Sequence, residues 1–330
     1  MKTGKIPESM LKRSILKQVK VKKENRILGP GVGMDAGAGR LEPGEVFVVS
    51  TAPVSGTRRD IGARAIASVA NNIAASGADP VGISVTILLP PKTEESTLRE
   101  LMREIAVKAG ECGMTIFGGH TETMDAVKEP VISITGIGKT RNLLSAAGAK
   151  PGDEIIMTKY AGLSGTGEIA KEKEASLLTR YPLSFLREAQ DLLDMYSVTQ
   201  EAEVARTCGA TAMHDVSECG LFGALWELAA ASKVGLEIDL SRVPIKQQTV
   251  EVCEFFDINP YLLRSAGSLL ITAPKGNEIL ERLREAGIPA AVIGQIREDQ
   301  DKIVIYGEDR EKRFLEPPRR DEIYKTKSEE

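Results

Sequence analysis

Five glycines fall within the eleven residues from 29 to 39, GPGVGMDAGAG, with Asp35 in their midst. Glycine has no side chain to bury and loses the most backbone freedom on folding, so such a run builds no core. It suits a place where the backbone comes close to a ligand, and inward-facing N–H groups suit an anion such as phosphate. A hairpin connection is the plainer reading of the same residues. Downstream, polar residues gather in short clusters: Ser50-Thr51, Asp60, Asn71-Asn72, Gly118-Gly119-His120-Thr121-Glu122 and His214-Asp215-Val216-Ser217-Glu218. Carboxylates and hydroxyls drawn from several loops suit a hard cation such as Mg²⁺, held together with substrate phosphates. Helix capping accounts for Asp60 and Asp215 equally well, taken one residue at a time. It does not account for both histidines of the chain lying in such clusters.

Other chemistries are excluded. Gly138-Lys139-Thr140 resembles the end of a P-loop, but the required glycine five positions earlier is Ser133. No strand–GxGxxG–helix unit is present. Ser164 is not flanked as a nucleophile elbow, and the two histidines lack the spacing of a helical zinc site.

The elements that would carry these clusters follow from periodicity. An amphipathic helix is expected over 7–21, with Met10, Leu11, Ile15, Leu16 and Val19 on one side. The β-branched run 46–51 predicts a buried strand, and 52–57 a turn. Asp60 is placed to cap a helix from 61 to about 76, which the glycine and proline of Gly77-Ala78-Asp79-Pro80 end. Further expectations are a strand at 82–89, a helix at 94–112, a short strand at 115–117 running into the Gly-Gly-His-Thr-Glu cluster, and a strand at 131–140. A junction near 147–151 divides the chain into domains 1–148 and 149–330. The second domain is expected to hold strands at 154–159, 236–238, 268–273, 290–296 and 302–306. A second glycine loop is expected at 162–167, then a helical region to about 207, and helices at 221–232, 247–256 and 277–286. From Pro317 the chain is charged and reads as frayed.

Composition narrows the class. The chain has 330 residues, 42% of them hydrophobic but only 4% aromatic, so its core is aliphatic. A formal net charge of -4 argues against a dedicated nucleic-acid binder. No apolar run approaches a membrane span, and the basic N-terminal stretch lacks the apolar segment of a signal peptide. Cys112, Cys208, Cys219 and Cys253 form no CxxC pair, so neither a disulfide framework nor a zinc site is expected. A reducing cytoplasm is the expected setting.

The ordered motifs resemble a family. They are Gly29-Pro-Gly-Val-Gly-Met-Asp35, Arg59-Asp60-Ile-Gly62, Asn71-Asn72-Ile-Ala-Ala-Ser-Gly77, Gly118-Gly-His-Thr-Glu122 and His214-Asp-Val-Ser-Glu-Cys-Gly220-Leu. The set is similar to the superfamily of aminoimidazole ribonucleotide (AIR) synthase (PurM), thiamine-monophosphate kinase, selenophosphate synthetase and the hydrogenase-maturation protein HypE, nearest to its HypE-related group. The resemblance implies an α/β (α+β) chain with a two-domain PurM-like fold. Its N-terminal domain would dimerise through its sheet, making a homodimer beside an ATP cleft, and its C-terminal domain would be an α/β sandwich. It implies ATP-dependent activation of an amide or carboxyl oxygen. The alternatives are a phosphotransferase like thiamine-monophosphate kinase, or a non-catalytic assembly protein that keeps the fold.

Carried over by position, Asp35, Asn72, His120 and Asp215 would face Mg²⁺ and the phosphates, Asp35 and Asp215 as metal carboxylates. Ser50, Thr51, Gly118, Gly119, Thr121, His214 and Ser217 would complete the ATP site, and Asp60 would support the turn. The family's Thr-Asp and Asn-Asp are Thr51-Ala52 and Asn71-Asn72 here, which leaves two metal-facing carboxylates out. HypE carries its carbamoyl group on a C-terminal cysteine, and no cysteine follows Cys253. The standard thiocarbamoyl dehydration is therefore not expected of this chain. Neither is selenophosphate synthesis, since no cysteine precedes Cys112.

Overall fold

The computed structural model describes residues 4–5, 8–19, 26–28, 38–39, 41–56, 60–318 and 320–326. The chain divides into two units between Leu143 and Leu144, with 75–77 grouped with the second.

The first unit runs β1 (Gly4–Lys5), α1 (Glu8–Met10), a wider helical turn over Leu11–Leu16, β2 (Arg26–Leu28), β3 (Ala38–Gly39), β4 (Val46–Ser55), α2 (Ile61–Ala75), β5 (Asp79–Leu89), α3 (Glu95–Glu111), β6 (Thr115–Thr123) and β7 (Val131–Thr140). Five strands form one sheet in the order β1-β6-β5-β7-β4. β5 and β6 are parallel, which requires a crossover, and α3 supplies it. Burial along β7 alternates strictly between half-buried and buried, the mark of a sheet covered on one face. The covered face packs Ile132 and Ile134 with Ile66, Val69 and Ile73 of α2 and Leu98 and Ile105 of α3. Gly136 lets α2 come this close, since a Cβ there would lie 2.1 Å from Cγ1 of Val69.

Four expectations for this unit are corrected. The turn expected at 52–57 is strand as far as Ser55, with Pro53 opposite Ser133. β4 lies at the sheet edge, where a proline without an N–H is tolerated. β5 starts at Asp79 and takes in Pro80, with a register shift before Gly82. Most relevant to function, β6 continues through Gly118-Gly119-His120-Thr121-Glu122, which are strand residues and not a loop. The wider turn after α1 ends at Leu16, short of the expected 21. Of the glycine stretch, Ala38 and Gly39 pair antiparallel with Leu28 and Arg26. Asp35 lies outside the described residues.

The second unit runs β8 (Glu154–Thr158), α4 (Leu163–Glu172), α5 (Glu174–Leu177), α6 (Leu183–Asp191), α7 (Thr199–Thr207), β9 (Ala212–Val216), α8 (Gly220–Ser232), β10 (Gly235–Asp239), α9 (Gln247–Phe255), β11 (Ser268–Ala273), α10 (Gly276–Glu285), β12 (Ala290–Arg297), β13 (Lys302–Tyr306) and β14 (Glu311–Phe314). Its seven-stranded sheet has the order β14-β13-β10-β12-β8-β11-β9. Every residue of β11 is buried. Ile155, Met157 and Leu270 pack with Leu221, Leu225 and Leu228 of α8. Ile156 points the other way, towards α10, where a Cβ on Gly276 would lie 3.0 Å from its Cδ1. The exposed edge strand β14 was not expected; it is charged and lacks alternation.

Two further corrections belong here. The glycine loop expected at 162–167 is the start of α4. Its glycines make room for neighbours: a Cβ on Gly165 would lie 2.4 Å from Cγ of Leu263, and one on Gly167 2.6 Å from Cγ of Leu193. The tail expected to fray from 317 contains a short 3-10 turn over Glu322–Thr326. Asp321 and Ile323 beside and within it are 3% and 2% exposed.

Candidate functional site

In the first unit the pleat divides the expected site residues between two faces. Ser50 and Ala52 alternate with Thr51 along β4, so they point to the face covered by α2. There Asn72 Nδ2 donates to Ser50 Oγ at 2.9 Å, and Ala52 is 9% exposed. Thr121 is buried on the same side, paired with Ile87. Gly119 has no room for a side chain, since a Cβ would lie 2.1 Å from the Val85 carbonyl oxygen. Asp60 stands just before α2, and its carbonyl accepts the Arg64 N–H at 3.0 Å.

The opposite, open face carries the remainder. Strand registers align Thr51, Thr135, Ser84 and Gly118 in one row, and Pro53, Ser133, Thr86 and His120 in the next. Thr51 Oγ1 lies 3.1 Å from Thr135 Oγ1, and His120 Nε2 lies 3.1 Å from Glu122 Oε2. Thr51, Gly118 and His120 therefore do not converge with Ser50 and Asn72. A single cleft wall built from all of them conflicts with the period of two along a strand. The hydroxyl rows themselves were overlooked in the sequence. Their signal was present as Ser84-Val85-Thr86 and Ser133-Ile134-Thr135, polar at every second position.

In the second unit, the edge strand β9 carries His214 and Asp215. His214 Nε2 lies 2.9 Å from Glu227 Oε2 of α8. Asp215 Oδ1 is 3.8 Å from His214 Nδ1, an ionic contact. Burial alone would lower the His214 imidazole, but Asp215 and Glu227 outweigh it and push it up to about 9. The ring is thus an imidazolium at neutral pH. Ser217 and Glu218 follow, both exposed, and Glu218 accepts from Arg264 Nη2 at 3.1 Å. Cys219, at φ 59°, is a left-handed non-glycine residue at the N-cap of α8. Arg264 and Asp321, which surround this turn, were not singled out in the sequence because nothing local marks them.

The donor sets decide what these places can hold. Ser50 and Asn72 offer hydrogen bonds but no charge, and the Ala52 methyl offers neither. Among the described residues, no group of three or more His, Cys, Asp or Glu side chains is placed to hold a metal ion. In the His214 cluster an imidazolium occupies the two carboxylates. The described residues therefore hold no ready-made cage of three or more such side chains for a metal ion. Thiol chemistry is also disfavoured. Burial pushes the Cys112 and Cys219 thiols up, and that of Cys253 up to about 12, so these three stay protonated at neutral pH. No helix among the described residues is long and apolar enough to cross a membrane.

Comparison with known proteins agrees with this architecture. Residues 33–140 match the N-terminal domain of AIR synthase related proteins, and residues 150–307 match the C-terminal domain. A putative hydrogenase expression/formation protein of Methanocaldococcus jannaschii is 24% identical over 316 residues, covering 92% of this chain and 91% of its own. The carbamoyl dehydratase HypE of Rhodobacter capsulatus is 26% identical over 271 residues, covering 78% and 77%. Among solved structures, a HypE hydrogenase maturation protein in complex with ATP has a TM-score of 0.76 at 20% identity, covering 96% of this chain and 95% of that one. The last likeness bears on fold alone, and the fold is the two-domain PurM-like one that the motif order implied.

Proposed function

The chain belongs to the AIR synthase related family through both of its domains, and from that premise we propose that it is a HypE-like, ATP-binding protein of the hydrogenase-maturation type. It would activate an amide or carboxyl oxygen: the oxygen attacks the terminal phosphorus of ATP, the bond to the bridging oxygen breaks, and ADP leaves. A fold does not by itself specify a reaction. The observation that carries the reading is the match of both domains in order, joined to a hydrogenase-related relative covering nine-tenths of each chain (92% and 91%).

Residue roles are proposed within each unit. Ser50, Asn72, Gly119 and Thr121 lie on or beside the covered face of the first sheet and would serve the phosphates, with Asp60 supporting the start of α2. In the second unit, His214 as an imidazolium and Ser217 as a donor would meet an anion, with Asp215 holding the imidazolium charged. Magnesium would arrive with the nucleotide phosphates and not on a protein carboxylate cluster. Of the two carboxylates first assigned to it, Asp215 stands beside a cation and Asp35 lies outside the described residues. Thr51, Gly118 and His120 are reassigned to the open face.

That face supports a homodimer. Phe47 and Val49 of β4 are 66% and 54% exposed on it, and the face would be covered by the same face of a second copy. A cytoplasmic setting is part of the proposal. Calorimetry with ATP, with and without Mg²⁺, tests the reading. Binding whose Kd changes little with Mg²⁺, and which Asn72→Ala weakens, is the expected result. No binding at millimolar nucleotide would sink it.

A further inference from the structure

The turn from Ser217 to Cys219 is held in a conformation that its own residues do not favour. Cys219 has φ 59° and Gly220 φ 58°. For glycine this costs nothing in sterics, but for cysteine the left-handed region is unfavourable. Glycine is required at 220, since a Cβ there would lie 2.3 Å from the Leu263 carbonyl oxygen. A strained turn persists only where its surroundings over-determine it.

The surroundings centre on Asp321. Its side chain is 1% exposed. Oδ2 accepts the Cys219 N–H at 2.8 Å, and Oδ1 accepts the Ile323 N–H at 2.9 Å. The same carboxylate lies 3.7 Å from Nε of Arg264. Arg264 in turn reaches Glu218 at 3.1 Å and Glu168 at 3.6 Å, with its guanidinium 5.7 Å from the Tyr324 ring centroid. Asp321 is thus fixed by Ile323 on one oxygen, and on the other it fixes the one backbone N–H that a left-handed Cys219 presents. Charge-assisted bonds from a buried carboxylate are stronger than neutral ones, so Asp321 has the strength to hold the turn against its own preference.

We propose that Asp321 is a positioning residue: it holds Cys219 left-handed so that Ser217 and its neighbours face the ligand. This rests on the reading above that Ser217 belongs to the nucleotide site. A distant segment, at 321–324, thereby sets the geometry of that turn.

The test measures ATP binding by calorimetry on the full chain, with thermal unfolding alongside, for Asp321→Ala, Asp321→Asn and Ser217→Ala. Asp321→Ala is expected to weaken binding about tenfold. Asp321→Asn, which keeps an acceptor oxygen for the Cys219 N–H, is expected to stay within about threefold of the parent. A fall in Tm with unchanged Kd, measured well below Tm, would mean a merely structural role and would overturn the proposal. If Ser217→Ala binds ATP as the parent does, the nucleotide reading of the turn fails instead. If Ser217→Ala weakens binding and Asp321→Ala does not, the positioning role alone fails. Should Asp321→Ala not fold, Asp321→Glu is read in its place. It keeps the charge but displaces the carboxylate by one methylene, and parent-like binding by that variant would also overturn the proposal.

Discussion

The two sheets of this chain solve burial in different ways. In the second unit, β11 is buried at every residue, with α8 against one face of the sheet and α10 against the other. In the first unit, β7 alternates and β4 is half open, with Val49 54% exposed. The second sheet is complete within one chain. The first has a finished face, packed by α2 and α3, and an unfinished one. An antiparallel sheet with one face in water is ordinary, but water-facing positions are usually polar, and here Phe47 and Val49 are not.

The contrast breaks most sharply at a buried residue of the second sheet. Ile156→Ala should destabilise the second unit by about 2–5 kcal/mol, the usual cost of removing a fully buried aliphatic side chain. Trp226, the single tryptophan, lies in that unit, so its fluorescence during urea unfolding reads the effect directly. A loss below about 1 kcal/mol would mean that the face towards α10 is not close-packed.

His214 tests the same unit through pH. Its folded value, about 9, is above the ordinary 6.5. The stabilisation from its charged form is therefore present in full below about 6.5 and is lost as pH rises through about 9. The shift corresponds to about 3 kcal/mol. The parent should lose stability over that window, and His214→Gln should lose the slope there, again followed by Trp226 fluorescence. A parent profile flat from pH 6.5 to 9 would show that Asp215 and Glu227 do not hold the proton.

Packing of the covered face gives the next effect. Gly136→Val would place branched carbons where Cγ1 of Val69 stands 2.1 Å from the Cβ position. Overpacking of this kind costs about 1–3 kcal/mol. The first unit has no tryptophan, so hydrogen exchange of β7 amides is the appropriate measure.

Much of this architecture was legible from the residues. The strands at 131–140, 268–273 and 302–306 coincide with β7, β11 and β13, because β-branched runs bounded by turn residues leave little choice. What failed was punctuation. Pro53 and Gly118-Gly119 look like breaks, yet one lies on an edge strand and the others inside β6, where the sheet tolerates them. Gly165 and Gly167 look like a loop but pack a helix against Leu263 and Leu193. A glycine needed for close approach and a glycine needed for a turn are the same letter, and only the neighbour tells them apart. The expected site residues are divided for a related reason. Ser50-Thr51 and His120-Thr121 are adjacent in sequence, so their motifs read as single places, whereas a strand sends neighbours to opposite faces. Asp321 was invisible because its partners, Cys219 and Arg264, lie 102 and 57 positions away along the chain.

The smallest change in folding stability should come from Val49, and it bears most directly on the unfinished face. Val49 pairs with Ile137 across β4 and β7 and is 54% exposed, so Val49→Lys removes little buried area from a single chain. Its effect on the stability of a separated protomer should lie within about 0.5 kcal/mol, as for other exposed positions. Its effect on association should be much larger, since a lysine buried between two copies must be desolvated without a partner. Sedimentation should show the parent as a dimer and Val49→Lys as a monomer, with hydrogen exchange of β7 unchanged apart from residues on the open face. A parent that sediments as a monomer, or a Val49→Lys dimer as tight as the parent, would mean that the open face is covered in some other way or stays in water. Phe47 and Val49 would then be surface residues without a partner copy, and the difference between the two sheets would be one of degree only.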